Sequence, residues 1–141
     1  MKQACVILMC IGVATAALAH TGVKNAAVKA RMEGMSRLAA HAKVLGTGLR
    51  TGASQAEMTA AAAALRHEAG TIATLFMPQE DDPKSEARAA IWANWSDFKA
   101  RSDALVEASA VAQAATTPAE LNVAFRRVGA ACSACHKVYR D

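Results

Sequence analysis

The sequence predicts an all-α fold, an antiparallel up-down-up-down four-helix bundle, and three observations predict it. The 141 residues are 53% hydrophobic but only 4% aromatic, and the apolar share is mostly alanine with leucine, valine and methionine. That is a helical vocabulary, since alanine loses no side-chain entropy in a helix. Apolar residues recur at three- and four-residue spacing in four segments separated by short connections, which makes sequential helices antiparallel neighbours. No segment alternates apolar and polar residues as a half-buried strand would. The length is that of one domain, without room for two comfortable cores.

The first residues read as an address. Lys2 supplies a short positive region, Ala4 to Leu18 carry no charge, and Ala17-Leu18-Ala19 is a small-x-small cleavage signature. The run is too short to span a bilayer. Residues 1–19 are therefore expected to be a secretory signal cleaved after Ala19, leaving 20–141 as one domain in the periplasm. Cys5 and Cys10 leave with it, so Cys132 and Cys135 are the mature cysteines. The formal charge is +4, from 16 Lys and Arg against 12 Asp and Glu, and falls to +3 without Lys2. No run of five or six like charges exists, which argues against a nucleic-acid binder.

The first helix is expected from about Asn25 to Leu45, with Val28, Met32, Met35, Ala39 and Ala42 inward and Gly46-Thr47-Gly48 as its stop. The second starts at Ser54 as N-cap, with Glu57 completing a capping box, and runs through Met58, Ala62, Leu65, Ala69, Ile72 and Phe76 until Pro78 ends it. Pro78 to Pro83 is a polar, proline-bounded surface loop. The third is expected from about Ser85 to Ala114, irregular in its first turns, with Ile91, Trp95, Phe98, Ser102, Leu105 and Ala112 on one face. The fourth has Thr117 as N-cap, Pro118 at the first helical position and Glu120 closing a capping box, and reaches about Tyr139. Its seam of Leu121, Phe125, Val128, Cys132, Cys135 and Tyr139 turns both cysteines toward the core.

Cys132-Ser133-Ala134-Cys135-His136 is a C-x-x-C-H motif, the signature of c-type haem attachment. Two thiols three residues apart can each add to a vinyl group of one porphyrin, and the adjacent histidine becomes an axial ligand of its iron. Three other readings compete. Zinc would need two further Cys or His ligands, and only the scattered His20, His41 and His67 remain. A redox dithiol would want a βαβ context. A disulfide within one helix is geometrically poor and leaves His136 unexplained.

The motif lies within the last ten residues, on the last helix, and there the chain resembles the class II c-type cytochromes, the cytochrome c′ family. The stretch Val128-Gly129-Ala130-Ala131-Cys132-Ser133-Ala134-Cys135-His136-Lys137-Val138-Tyr139-Arg140 is similar to the family's terminal pattern, and Ile91-Trp92 resembles its I-W pair after the central loop. The resemblance implies one covalently attached haem c, with Arg140 on the proximal side of the haem.

It also implies a choice at the sixth iron position. In true members of the family an apolar residue of the first helix blocks that side and leaves the iron able to take small gases. In low-spin members a methionine from the same place binds it, which suits electron transfer. Aligned from the loop after the first helix, Met32 falls at that position, and Arg37 matches an arginine of the methionine-ligated members. His41, more than two turns further on, is the weaker candidate; His67 is expected to be solvated, Met58 core and Met77 loop. Trp92, Trp95 and Phe98 are expected to line the pocket.

The expected function is thus a periplasmic monohaem single-electron carrier, with iron held by His136 and Met32, serving periplasmic or membrane redox proteins. It is not an enzyme in this reading, since no catalytic dyad, phosphate loop or activated nucleophile is present. The rival is a five-coordinate cytochrome c′ binding nitric oxide or carbon monoxide, and a third reading is a module docking to a larger redox complex. The alanine-rich surface leaves monomer and homodimer both open.

Overall fold

The computed structural model describes residues 22–141; the expected leader 1–19, its cleavage site and His20 lie outside the described residues. Four long helices and one single turn form the chain in the order α1 (Ala26–Thr51), α2 (Gln55–Phe76), α3 (Ala90–Ala93), α4 (Trp95–Ala114) and α5 (Pro118–Tyr139). The bundle is antiparallel: α1 packs on α2, α2 on α4 and α4 on α5, while α1 and α5 touch only sparsely.

The start signals act as expected. Ser54 and Thr117 each accept from the backbone N–H three residues on, and Glu57 and Glu120 return the bond to the cap. Asn25 caps α1 by accepting from Ala27 N and Val28 N at 2.9 and 3.1 Å.

The stop of α1 differs from expectation. The helix passes through Gly46 and Gly48 and ends at Gly52, which has φ 72° and donates to Gly48 O in a left-handed cap. The two inner glycines serve packing. A Cβ on Gly48 would collide with Met58 Sδ, and one on Gly46 would stand 3.2 Å from the Phe125 ring. Close approach of the helices, not chain reversal, requires them.

The buried line of α1 also differs in phase. It runs through Val28, Arg31, Gly34, Leu38, Leu45 and Gly48, spaced by three, four and seven residues, and includes a charged residue the sequence pattern skipped. Residues 85–89 are not helical, and α3 and α4 are separated by a break at Asn94, which has φ −127°. The expected single helix from Ser85 is therefore two, preceded by an extended segment whose Ala87 pairs with Arg140.

The polar loop after α2 is tied down by Asp82, only 7% exposed. Its carboxylate accepts from Lys24 N, Asn25 N and Lys84 N at 2.8, 3.1 and 3.0 Å, and these backbone donors hold its pKa below the usual carboxylate value. Its stabilising effect is present above the unfolded carboxylate pKa, about 3.9, and is lost as pH falls through the lowered folded value. Asp82→Asn should lower Tm at pH 7, and the gap from wild type should narrow at pH 3. An equal gap at both pH values would contradict this.

Gly48→Ala should destabilise the protein by about 1–3 kcal/mol through overpacking against Met58. Gly70→Ala, on α2 with nothing within 4 Å of the added methyl, should stabilise it by up to about 1 kcal/mol. Chemical denaturation of the two variants measures both.

Candidate functional site

Between α1 and α5, closed behind by α2 and α4, lies a cavity of about 560 Å³, inside the roughly 300–1,000 Å³ range of ligand and cofactor sites. Well-packed interiors hold few voids larger than a water, so a space of this size is a binding site. Its apolar wall includes Val28, Leu65, Ile72, Phe76, Ile91 and Leu105.

The attachment motif faces it. Cys132, Cys135 and His136 border the cavity from the last turns of α5, and both thiols are free. Burial pushes both thiols above their ordinary pKa, with Arg101 partly opposing this at Cys135. His136, partly open to solvent, has its pKa lowered by burial and then by the Arg140 guanidinium, against a smaller opposite effect of Glu86. The ring is therefore neutral at neutral pH, the form that ligates a metal. Among the described residues no group of three or more His, Cys, Asp and Glu could hold a metal ion.

A second network fixes the motif from α4. Arg101 donates through Nε to Asp97 Oδ2 at 2.7 Å and through Nη1 to Ala134 O at 3.0 Å, and the Tyr139 hydroxyl donates to the same Asp97 oxygen at 2.6 Å. Phe98 packs between Phe76, Trp95 and Tyr139, with ring centroids 5.1, 5.6 and 5.4 Å away.

Arg31 is the residue that sequence reasoning missed. It is 2% exposed, stacks on Phe76 and Trp92 with its guanidinium carbon 5.4 and 5.2 Å from their ring centroids, and donates through Nη2 to Glu80 O at 2.6 Å. It borders the cavity, and its Nη1 is buried with no partner. A buried guanidinium nitrogen without an acceptor is costly, and a haem has two carboxylates to offer. The cavity thus fits a haem at both ends: thiols and imidazole on α5, and an orphan cationic donor on α1. The visible signal was a cation at an inward position of an otherwise apolar stripe.

On the wall opposite His136, Met32 and Met35 both border the cavity. The remaining candidates do not. His41 is half-buried on α1 away from it, His67 is exposed beside a surface groove, and Met77 is 66% exposed. Arg37 pairs through Nε with Glu68 Oε2 at 2.9 Å, tying α1 to α2. Of the three aromatic residues expected to line the pocket, only Phe98 does. The break at Asn94 leaves Trp92 over Arg31, donating from Nε1 to Phe76 O at 2.8 Å, and Trp95 against Phe98.

Residues 26–140 match the family model described as Cytochrome C'. The chain belongs to the cytochrome c′ family. Proteins of this family carry one haem c attached covalently, and the C-x-x-C-H motif of Cys132, Cys135 and His136 is where the sequence leads one to expect its attachment. Cytochrome c-556 of Agrobacterium fabrum is 36% identical over 95 residues, covering 62% of this chain and 65% of that protein. Cytochrome c-554 of Cereibacter sphaeroides is 46% identical over 59 residues, 40% of this chain and 39% of that one. The matched stretches thus span less than two thirds of the length of these curated relatives.

Among solved structures, a nitric oxide complex of a mutant cytochrome c prime from Alcaligenes xylosoxidans superposes with a TM-score of 0.73 at 28% identity, covering 82% of this chain and 94% of that one. A carbon monoxide-bound variant of the same protein gives the same values. Cytochrome c' of Thermochromatium tepidum gives 0.74 at 25% identity, covering 81% and 93%.

Arg31→Met should leave the haem-free chain as stable or more stable, because it removes an unsatisfied buried donor, and should lower the Tm of the haem-loaded chain. Thermal melts of both forms test the sign reversal.

Proposed function

We propose that the protein is an exported, periplasmic single-electron carrier, with its iron held by His136 on one side and a methionine of α1 on the other. The observation that carries this is the pair of thioethers, Met32 and Met35, on the cavity wall opposite His136. The haem supplies an iron that gains and loses one electron. The chain holds it by two thioether bonds, keeps it in a largely apolar cavity, and supplies ligands whose positions need not change on reduction. A histidine and methionine pair in apolar surroundings raises the reduction potential. No bond to a substrate is made or broken, so the protein is not an enzyme in this reading. Its partners are periplasmic or membrane redox proteins, and the leader at 1–19 supports export.

Met32 is the ligand expected from the alignment of sequence segments; the phase of α1 favours Met35. Val28, Arg31, Leu38 and Leu45 are buried, and Met35 continues their line, four residues from Arg31 and three from Leu38. Met35 also packs against the core cluster. Met32 lies about 60° around the helix from Met35, toward its flank. We therefore assign the sixth ligand to Met35, with Met32 beside it as part of the cavity wall.

The second reading is reversible binding of nitric oxide or carbon monoxide, favoured by solved neighbours that include complexes with those gases. One spectrum separates the two. Reduced protein with six-coordinate bands unchanged by carbon monoxide supports electron transfer, while bands that shift on adding the gas support gas binding. Met35→Leu should convert the protein to a gas-binding form with a lower potential, whereas Met32→Leu should leave the spectrum unchanged. The reverse pattern would return the ligand to Met32.

A further inference from the structure

The side of the site behind His136 holds a charged pair that haem attachment does not use. Glu86 and Arg140 both border the cavity alongside His136. Arg140 donates through Nε to Glu86 Oε2 at 2.6 Å, and its Nη2 stands 2.5 Å from the same oxygen. Both contacts fall on one oxygen, so Glu86 Oε1 has no protein donor among the described residues. Both side chains are more than half exposed, but the backbone that carries them is fixed. Ala87 forms a bridge with Arg140, Arg88 N donates to Tyr139 O, and Asp141 N donates to Glu86 O, both at 3.0 Å. Arg88 Nε closes the clasp on Asp141 Oδ1 at 2.8 Å. An extended segment ahead of α3 is thus stitched across the end of α5, where it delivers one carboxylate beside the ligand histidine.

The His136 ring makes no hydrogen bond to any described residue. When one ring nitrogen is on a metal the other carries a proton, and metal-bound histidines nearly always donate that proton to a carboxylate, carbonyl or water. The charged groups acting on this ring are Arg140 and Glu86, with opposite signs. Glu86 is the acceptor among them.

We propose that Glu86 is a positioning residue for the iron ligand: it takes the free N–H of His136 and, through its other oxygen, holds Arg140 beside the ring. A carboxylate partner makes the imidazole a stronger donor and stabilises the ferric state. Arg140 opposes it, so the pair sets the reduction potential by balance. This holds whether the sixth position is filled by methionine or by a gas.

The test is potentiometric titration and thermal melting of haem-loaded wild type, Glu86→Gln, Glu86→Asp and Arg140→Gln. Either Gln variant breaks the same ion pair, so both should lower Tm. The potentials should move apart: Glu86→Gln upward, Arg140→Gln downward, and Glu86→Asp between wild type and Glu86→Gln. An unchanged potential in Glu86→Gln, or a shift of both Gln variants in one direction, would reduce the pair to a structural clasp and overturn the proposal.

Discussion

The volume between α1 and α5 is the constraint from which the rest of this structure follows. Side chains of both helices face it, and neither helix packs on the other over most of its length. Two helices of a bundle normally close to 8–10 Å between axes. Here α2 and α4 carry the packing that α1 and α5 forgo. Their alanines at 61, 62, 69, 108 and 112 are buried, and Gly48 admits Met58 where α1 crosses α2. Small residues bring three interhelical seams together and leave the fourth open.

An open seam needs rigid edges, and polar groups supply them. Asp82 binds the backbone at the start of α1 to the loop after α2. Asp97 and Arg101 bind α4 to the attachment turn of α5. The extended segment 85–88 closes over the C-terminus. Arg101, Tyr139, Arg140 and residues 85–87 border the cavity themselves, while the Asp82 bonds lie outside its lining and fix the start of α1. The site is thus held by hydrogen bonds at its rim and by hydrophobic burial behind it.

The cavity also explains the cation in the core. A guanidinium at 2% exposure would ordinarily be excluded by its desolvation cost. Arg31 is stabilised by two aromatic faces and two carbonyls, and it keeps one donor for an anionic group. The same balance of charges recurs at the other end, where Glu86 and Arg140 flank His136. Both ends of the cavity therefore present charge to a prosthetic group whose middle is apolar.

Much of this was legible from residue order alone, because it depends on neighbours close in sequence. The capping boxes at Ser54 and Thr117, the seam of α5 and the Cys132, Cys135 and His136 triplet are local patterns whose chemistry is set by spacing. What the sequence left open depends on residues far apart. Whether Gly46 and Gly48 end a helix or admit a neighbour is decided by where Met58 and Phe125 lie. The inward phase of α1 is decided by Arg31, which reads as a surface residue until Phe76, Trp92 and Glu80 surround it. The place of Met35 beside Met32, and of Glu86 beside His136, follows from helix phase and from a crossing of segments some fifty residues apart. Spacing along the chain determined the attachment chemistry; the meeting of distant segments decided what surrounds it, since burial and electrostatic environment are properties of the folded volume.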